Sequence, residues 1–282
     1  LFYKKNFVQG SGIIIGILLF LYFYFMDQTS EKETTYFFVV MLLSAIYFID
    51  DIIGLNVTTR IIIQFLSGII CAYIFLDNFD SYFYIKIFLF GLWTIFLTNS
   101  MNFYDGKNLN FSFLIICILL FNLIVTNNLD FYILLILFIS IIVFSFYNAL
   151  FKNFYFGDSG CFIVSSFLNY LLIFNIDAGY DKIFFFIMPL LLPFFDFIFV
   201  IIFRLYKKEN LTTRNHYHLY QRLSEISNSY YYLMPQAITF FTILALYLLY
   251  SKDVINFYLL FILSLISIPL LYFYFFKKCL KR

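Results

Sequence analysis

Tyr36-Phe37-Phe38-Val39-Val40-Met41-Leu42-Leu43-Ser44-Ala45-Ile46-Tyr47-Phe48-Ile49-Asp50-Asp51 carries fourteen uncharged, mostly apolar residues straight into two adjacent carboxylates. The apolar run is continuous, without the alternation of a half-buried strand. Its neighbours repeat the pattern at roughly 12–26, 60–76, 86–98, 111–126, 130–148, 161–176, 183–203, 230–250 and 254–276. A backbone in lipid must satisfy its own hydrogen bonds, so continuous runs of this kind predict helices. The expected fold is all-α, a polytopic transmembrane bundle of about ten spans. We expect an eleventh before Leu1, and read residues 1–282 as a single integral membrane catalytic domain.

Composition agrees. Of 282 residues, 63% are hydrophobic and 12% charged, with mean hydropathy +0.92. A soluble domain of this length could not hide that much apolar surface. The four cysteines lie far apart, which argues against a disulfide or zinc framework. Only His216 and His218 are present, which excludes a bis-histidine haem inside the membrane.

If the runs alternate across a membrane, 14 of the 18 Lys and Arg residues fall on one side. The positive-inside bias makes that side cytoplasmic. The same side receives every motif with chemical potential.

Asp50-Asp51 ends the quoted span. Two adjacent carboxylates repel unless a cation sits between them, an arrangement that makes a general base or a metal site. Arg60 follows, with Gln64 one helical turn later on the same face. Asn99, Asn102 and Asp105 recur at threes and end in Asp105-Gly106-Lys107-Asn108. Gly157-Asp158-Ser159-Gly160 opens the seventh span. Its small residues admit a close backbone or phosphate, and Asp158 offers a hard oxygen to Mg²⁺. Pro193-Phe194-Phe195-Asp196 places a carboxylate inside the eighth span, eight residues before Arg204. Intramembrane carboxylates are functional candidates. Finally, Thr213-Arg214-Asn215-His216-Tyr217-His218 gathers cations, imidazoles and an amide suited to a diphosphate and a sugar. Each motif also has a plain structural reading: a solvated helix end, an Asp-Gly turn, an N-cap, a buried ion pair, or a basic loop against anionic lipid.

Taken in order, these motifs resemble the polyprenyl-phosphate N-acetylhexosamine-1-phosphate transferases of glycosyltransferase family 4. That family is related to phospho-MurNAc-pentapeptide translocase and starts O-antigen, teichoic acid and peptidoglycan lipid intermediates. Asp50, Asp51, Arg60 and Gln64 match its paired-Asp segment. Asn99, Asn102, Asp105 and Gly106 match its Asn-x-x-Asn-x-x-Asp-Gly segment. Gly157, Asp158 and Gly160 match its Gly-Asp-x-Gly turn, Pro193, Asp196 and Arg204 its Pro-x-x-Asp segment, and His216 and His218 its His loop. The chain departs from the pattern at Asn108, where a second Asp is usual, and at Leu219, where a further His is usual. The segment before the first span is reduced to Gly10-Ser11-Gly12.

The resemblance implies transfer of a sugar-1-phosphate from a UDP-N-acetylhexosamine to undecaprenyl phosphate, releasing UMP. The expected place is the cytoplasmic face of a bacterial inner membrane. It implies Asp50, Asp51, Asp105 and Asp158 as catalytic residues. It also implies Mg²⁺, or Mn²⁺, on Asp158, Asp51 and Asp105. Asn99, Asn102, Arg60, Gln64, Asp196, Arg204, Arg214, His216 and His218 are then the substrate-binding set, with Arg204 expected to brace Asp196. The partners are the two substrates and membrane lipid, with no nucleic acid, and a homodimer is compatible. Two other classes stay open: a transporter or flippase with acids lining a path through the membrane, and a non-catalytic scaffold marked by Asn108 and Leu219.

Overall fold

The computed structural model describes residues 10–25, 30–76, 82–125, 131–151, 155–176, 179–211, 213, 216–227 and 230–280. Every regular element among them is a helix: α1 Gly12–Phe25, α2 Glu31–Ile53, α3 Val57–Phe75, α4 Phe83–Tyr104, α5 Asn110–Val125, α6 Phe131–Leu150, α7 Gly157–Ile176, α8 Tyr180–Ile187, α9 Leu191–Tyr206, α10 Leu219–Ile226, α11 Met234–Ser251 and α12 Phe257–Leu280. Eight helices are long and apolar enough to cross a membrane, one of them running from α8 into α9. With the shorter apolar α1 and α5, they occupy the ten expected positions. The protein is an all-α polytopic membrane bundle.

The chain divides into two compact units. The first comprises Leu1–Asn108 and Leu129–Asp177, the second Leu109–Asn128 and Ala178–Arg282.

In the first unit α7 is the central helix, packed by α1, α2, α3 and α4, with 89% of its apolar window buried. Its interior face is partly polar, with Ser165, Ser166 and Asn169 fully buried. Inside a membrane, packing favours small and hydrogen-bonding side chains, since lipid is as apolar as leucine. Asn169 accordingly donates to Thr94 Oγ1 on α4 at 2.8 Å. Outward positions such as Leu42, Ile62, Phe88 and Leu89 stay exposed, as lipid-facing residues do.

The turn between α2 and α3 decides where the site forms. Gly54 closes α2 at φ 80°, a conformation that favours glycine, and Asn56 caps α3 by accepting from Thr59 N–H. This short hairpin brings the last turn of α2 against the first turn of α3.

In the second unit, Pro189 lies in a 3₁₀ turn, Met188–Leu190, between α8 and α9. Proline removes a helix donor, so the break falls where the sequence predicts loosening. The core is aromatic and aliphatic, with Phe121, Met188, Leu219, Leu223 and Tyr272 at its centre.

Candidate active site

The ends of α2 and α4 and the starts of α3 and α7 supply one polar cluster at one end of the first unit. Asp50 is buried, with its side chain fully enclosed. Arg60 meets it twice, Nε to Oδ2 at 2.7 Å and a terminal nitrogen to Oδ1 at 2.9 Å. The other terminal nitrogen of Arg60 reaches Asp158 Oδ2 at 2.8 Å. Asp50 Oδ1 also accepts from Leu55 N–H in the hairpin. Arg60 is thus the cation shared by Asp50 and Asp158 and bridges α2 to α7, while Asp51, the other half of the adjacent pair, turns to the start of α7. Asn102 donates to the remaining Asp158 oxygen at 2.5 Å.

Asp51 and Asp105 do something different. The peptide N–H groups of Phe156 and Gly157 donate to Asp105 at 3.3 and 2.8 Å. Those of Asp158 and Ser159 donate to Asp51 at 2.8 and 3.2 Å, and Ser159 Oγ adds a bond of 2.8 Å. Four successive amides at the start of α7 are taken by two carboxylates, one from the end of α2 and one from the turn after α4. The positive end of a helix favours such anions. These amides therefore hold the protein's own carboxylates, and of the close neighbours that the small residues admit, a backbone or a phosphate, the structure supplies the backbone of Gly10 and Gly12. Burial pushes the Asp105 carboxyl, in the turn after α4, up to about 8, while its two N–H bonds pull the other way.

Gly157 permits this arrangement. It sits at φ +80°, and a Cβ there would lie 2.7 Å from Asp51 Oδ2 and 2.6 Å from the Gly10 nitrogen. Gly10-Ser11-Gly12 closes over the turn from outside. Ser11 Oγ donates to Tyr155 O at 2.9 Å, Gly12 N–H donates to Phe156 O at 3.3 Å, and Gly12 abuts Gly160. The sequence marks this segment only as reduced, whereas the structure makes it a wall of the site.

Gln64 and Asn99 lie one layer deeper, where Asn99 donates to Gln64 Oε1 at 2.8 Å and ties α4 to α3. Tyr47 donates to Arg60 O at 3.0 Å and fixes the base of that side chain.

The remaining sequence candidates belong to the second unit. Asp196 has no exposed surface, and its oxygens meet His218 Nδ1 at 2.9 Å, Leu219 N–H at 3.0 Å and Tyr272 O–H at 3.0 Å. Arg204 was expected to brace Asp196 and instead turns to the loop. It donates to the carbonyls of Leu211, at 3.2 Å, Thr213, at 2.9 Å, and Asn210, and lies 3.6 Å from Glu209. Eight residues of helix separate the two side chains by about 12 Å along the axis, which explains the divergence. His216 is exposed and His218 buried. Arg214 lies outside the described residues. Tyr272 had no sequence signal, being one tyrosine of 25 in a chain rich in them.

The model of glycosyl transferase family 4 matches residues 33–176, just over half of the chain. This chain belongs to glycosyl transferase family 4. No match was found among curated proteins. The matched segment contains the whole acidic cluster and ends before Asp196 and the His loop. Membership makes the chain a transferase of the membrane-embedded, polyprenyl-phosphate-using kind.

The resemblance read from the sequence implies a divalent ion on Asp158, Asp51 and Asp105. Among the described residues no three acidic, His or Cys side chains converge on a point that could hold one. Asp51 and Asp105 engage backbone amides. Asp158, with its side chain 20% exposed, lies beside Arg60 and Asn102. This donor set fits an ion held by one protein carboxylate and completed by substrate phosphates and water, as Mg²⁺ commonly is.

Proposed function

We propose that this chain transfers a sugar-1-phosphate of the N-acetylhexosamine type from a UDP-sugar to undecaprenyl phosphate, releasing UMP. The observation that carries the reading is Arg60 held between Asp50 and Asp158 at the helix ends. A guanidinium shared by two carboxylates, and 31% exposed, is available to an arriving phosphate. Asp50, Asp51, Asp105 and Asp158 gather at one end of their helices, with Glu31 and Glu33 in the first turn of α2 at the other, whereas a transport path would line the space between with acids. The basic-residue bias supports placing that end at the cytoplasmic face of a bacterial inner membrane. There a lipid phosphate and a water-soluble nucleotide can meet.

In this mechanism the acceptor phosphate draws Arg60 away from Asp50. The freed Asp50 carboxylate takes the acceptor's proton. The acceptor oxygen attacks the β-phosphorus of the UDP-sugar, and a new P–O bond forms as the bond from β-phosphorus to the bridging oxygen breaks. UMP leaves with that electron pair. Asp51 and Asp105 hold the α7 turn so that Asp158 stays beside the phosphates. Mg²⁺ or Mn²⁺, on Asp158, would neutralise phosphate charge that otherwise repels the two substrates. In the second unit, exposed His216 offers one donor and one acceptor to the sugar nucleotide.

The test is transfer of radiolabelled sugar phosphate from UDP-N-acetylglucosamine and UDP-N-acetylgalactosamine to undecaprenyl phosphate by the purified chain. Labelled lipid and stoichiometric UMP are expected, both lost in EDTA and restored by Mg²⁺. Absence of labelled lipid with both donors would sink the substrate assignment. EDTA-resistant transfer would remove the metal.

A further inference from the structure

We propose that Asp196 is a positioning residue for the segment carrying His216 and does not itself touch substrate. The inference rests on the transferase reading for its kinetic consequence and on geometry for everything else. A carboxylate only accepts, so the hydrogen between Asp196 Oδ2 and His218 sits on Nδ1, which fixes the imidazole tautomer. Oδ1 takes both the Leu219 N–H, an otherwise unpaired amide of the first turn of α10, and the Tyr272 hydroxyl from α12. One side chain thereby fastens the entry of α10 to α9 and α12. All three partners are 4% exposed or less, and Asp196 itself is at 0%. A group so enclosed and so fully satisfied has no face left for a substrate.

Arg204 supplies the companion clamp two helical turns further along α9. Its contacts to Asn210, Leu211 and Thr213 are mostly to carbonyls, so they fix backbone whatever the side chains are. Tyr217 extends the same side, donating to Glu209 at 2.8 Å while Lys207 lies over its ring. The described residues flanking His216 are thus pinned from α9 at both ends, and His216 is exposed between them. The two histidines divide the work: His218 anchors and His216 makes contact.

Two measurements on the full chain in lipid nanodiscs test this. The first is hydrogen exchange of Asp196→Asn, with Tyr272→Phe as the milder variant should the first fail to fold. Exchange should accelerate in peptides covering 216–222 and stay unchanged in those covering 45–60. Acceleration spread over the whole chain, or none at 216–222, would overturn the clamp. The second is kinetic, with UDP-N-acetylglucosamine and undecaprenyl phosphate as probes. Asp196→Asn should raise the donor KM about tenfold, with the acceptor KM and kcat within about twofold. His216→Ala should raise the donor KM severalfold in the native background, yet by less than about twofold on top of Asp196→Asn, because a contact that is no longer positioned has little left to lose. Multiplicative effects would mean that Asp196 acts independently of His216, and the positioning role falls. A native chain that transfers nothing condemns the transferase reading instead, and the exchange experiment still decides the clamp.

Discussion

Arg60 and Arg204 each sit among carboxylate and carbonyl oxygens, yet one side chain is 31% exposed and the other 5%. Arg60 bridges Asp50 and Asp158, two acids that would repel without it. Arg204 is spread over three backbone carbonyls and a glutamate that belong to its own loop. The carboxylates divide in the same way: Asp158 is 20% exposed beside its arginine, and Asp196 is sealed beneath three donors. A buried, fully satisfied polar group rigidifies its surroundings. A partly open one, holding charges that a phosphate could replace, is equipped for chemistry. The difference between Arg60 with Asp158 and Arg204 with its loop is therefore one of access.

The largest effect is expected at Asp158. Asp158→Asn keeps the size and the bond to Asn102 within reach but removes the charge facing Arg60. Turnover should fall by about two to three orders of magnitude, the scale for losing a group that organises transition-state charge. Thermal stability in detergent should change little. Retention of more than a tenth of native transfer would make Asp158 another anchor and erase the contrast with Asp196.

Arg204→Ala should act in the opposite register. It takes the arginine donor from the carbonyls of Leu211 and Thr213, while Asn210 O keeps the Thr213 N–H and hydroxyl. Such losses cost about 1–3 kcal/mol each when the group stays buried, and water at the exposed loop offsets part of that. A drop in melting temperature of several degrees is expected, together with faster proteolysis near 209–213. An unchanged melting temperature with abolished turnover would place Arg204 in the chemistry.

How far the sequence carried the reading follows from where each signal resides. The ten apolar positions were legible because lipid enforces continuous runs, and the acid motifs were legible because each ends or begins such a run. What the motifs would bond to was not legible. Asp51 and Asp105 seize four peptide N–H groups, and a backbone amide leaves no mark in a sequence. Ser11 meets Tyr155 across 144 positions, and Tyr272 meets Asp196 across 76. Only the packing of helices makes those pairs neighbours. The small residues at 157–160 admit a close backbone or phosphate, and here the neighbours are Asp51 and the backbone of Gly10 and Gly12.

Arg60→Lys sharpens the comparison at smaller scale. Lysine keeps the charge but cannot contact Asp50 through two nitrogens and Asp158 through a third. Turnover should fall about tenfold, with the acceptor KM raised more than the donor KM, because the lipid phosphate is the group proposed to draw this cation. Initial rates measured over a matrix of both substrates check it. An effect confined to the donor KM would assign Arg60 to the nucleotide.

The smallest effect belongs to Ser159. Its hydroxyl is fully buried and gives Asp51 a third donor at 2.8 Å, beside the amides of Asp158 and Ser159 itself. Ser159→Ala removes that bond while leaving both amides in place, so Asp51 still holds the start of α7. The cost should be about 1 kcal/mol of stability, the usual net worth of one hydrogen bond. Turnover should stay within about threefold, since a loss of that size in positioning the Asp158 turn converts to no more than a few-fold in rate. Denaturation in detergent and transfer assays on the same preparation separate the two. A hundredfold loss of turnover at unchanged stability would make this hydroxyl, and with it Asp51, a participant in the reaction rather than the fastening of the turn that presents Asp158.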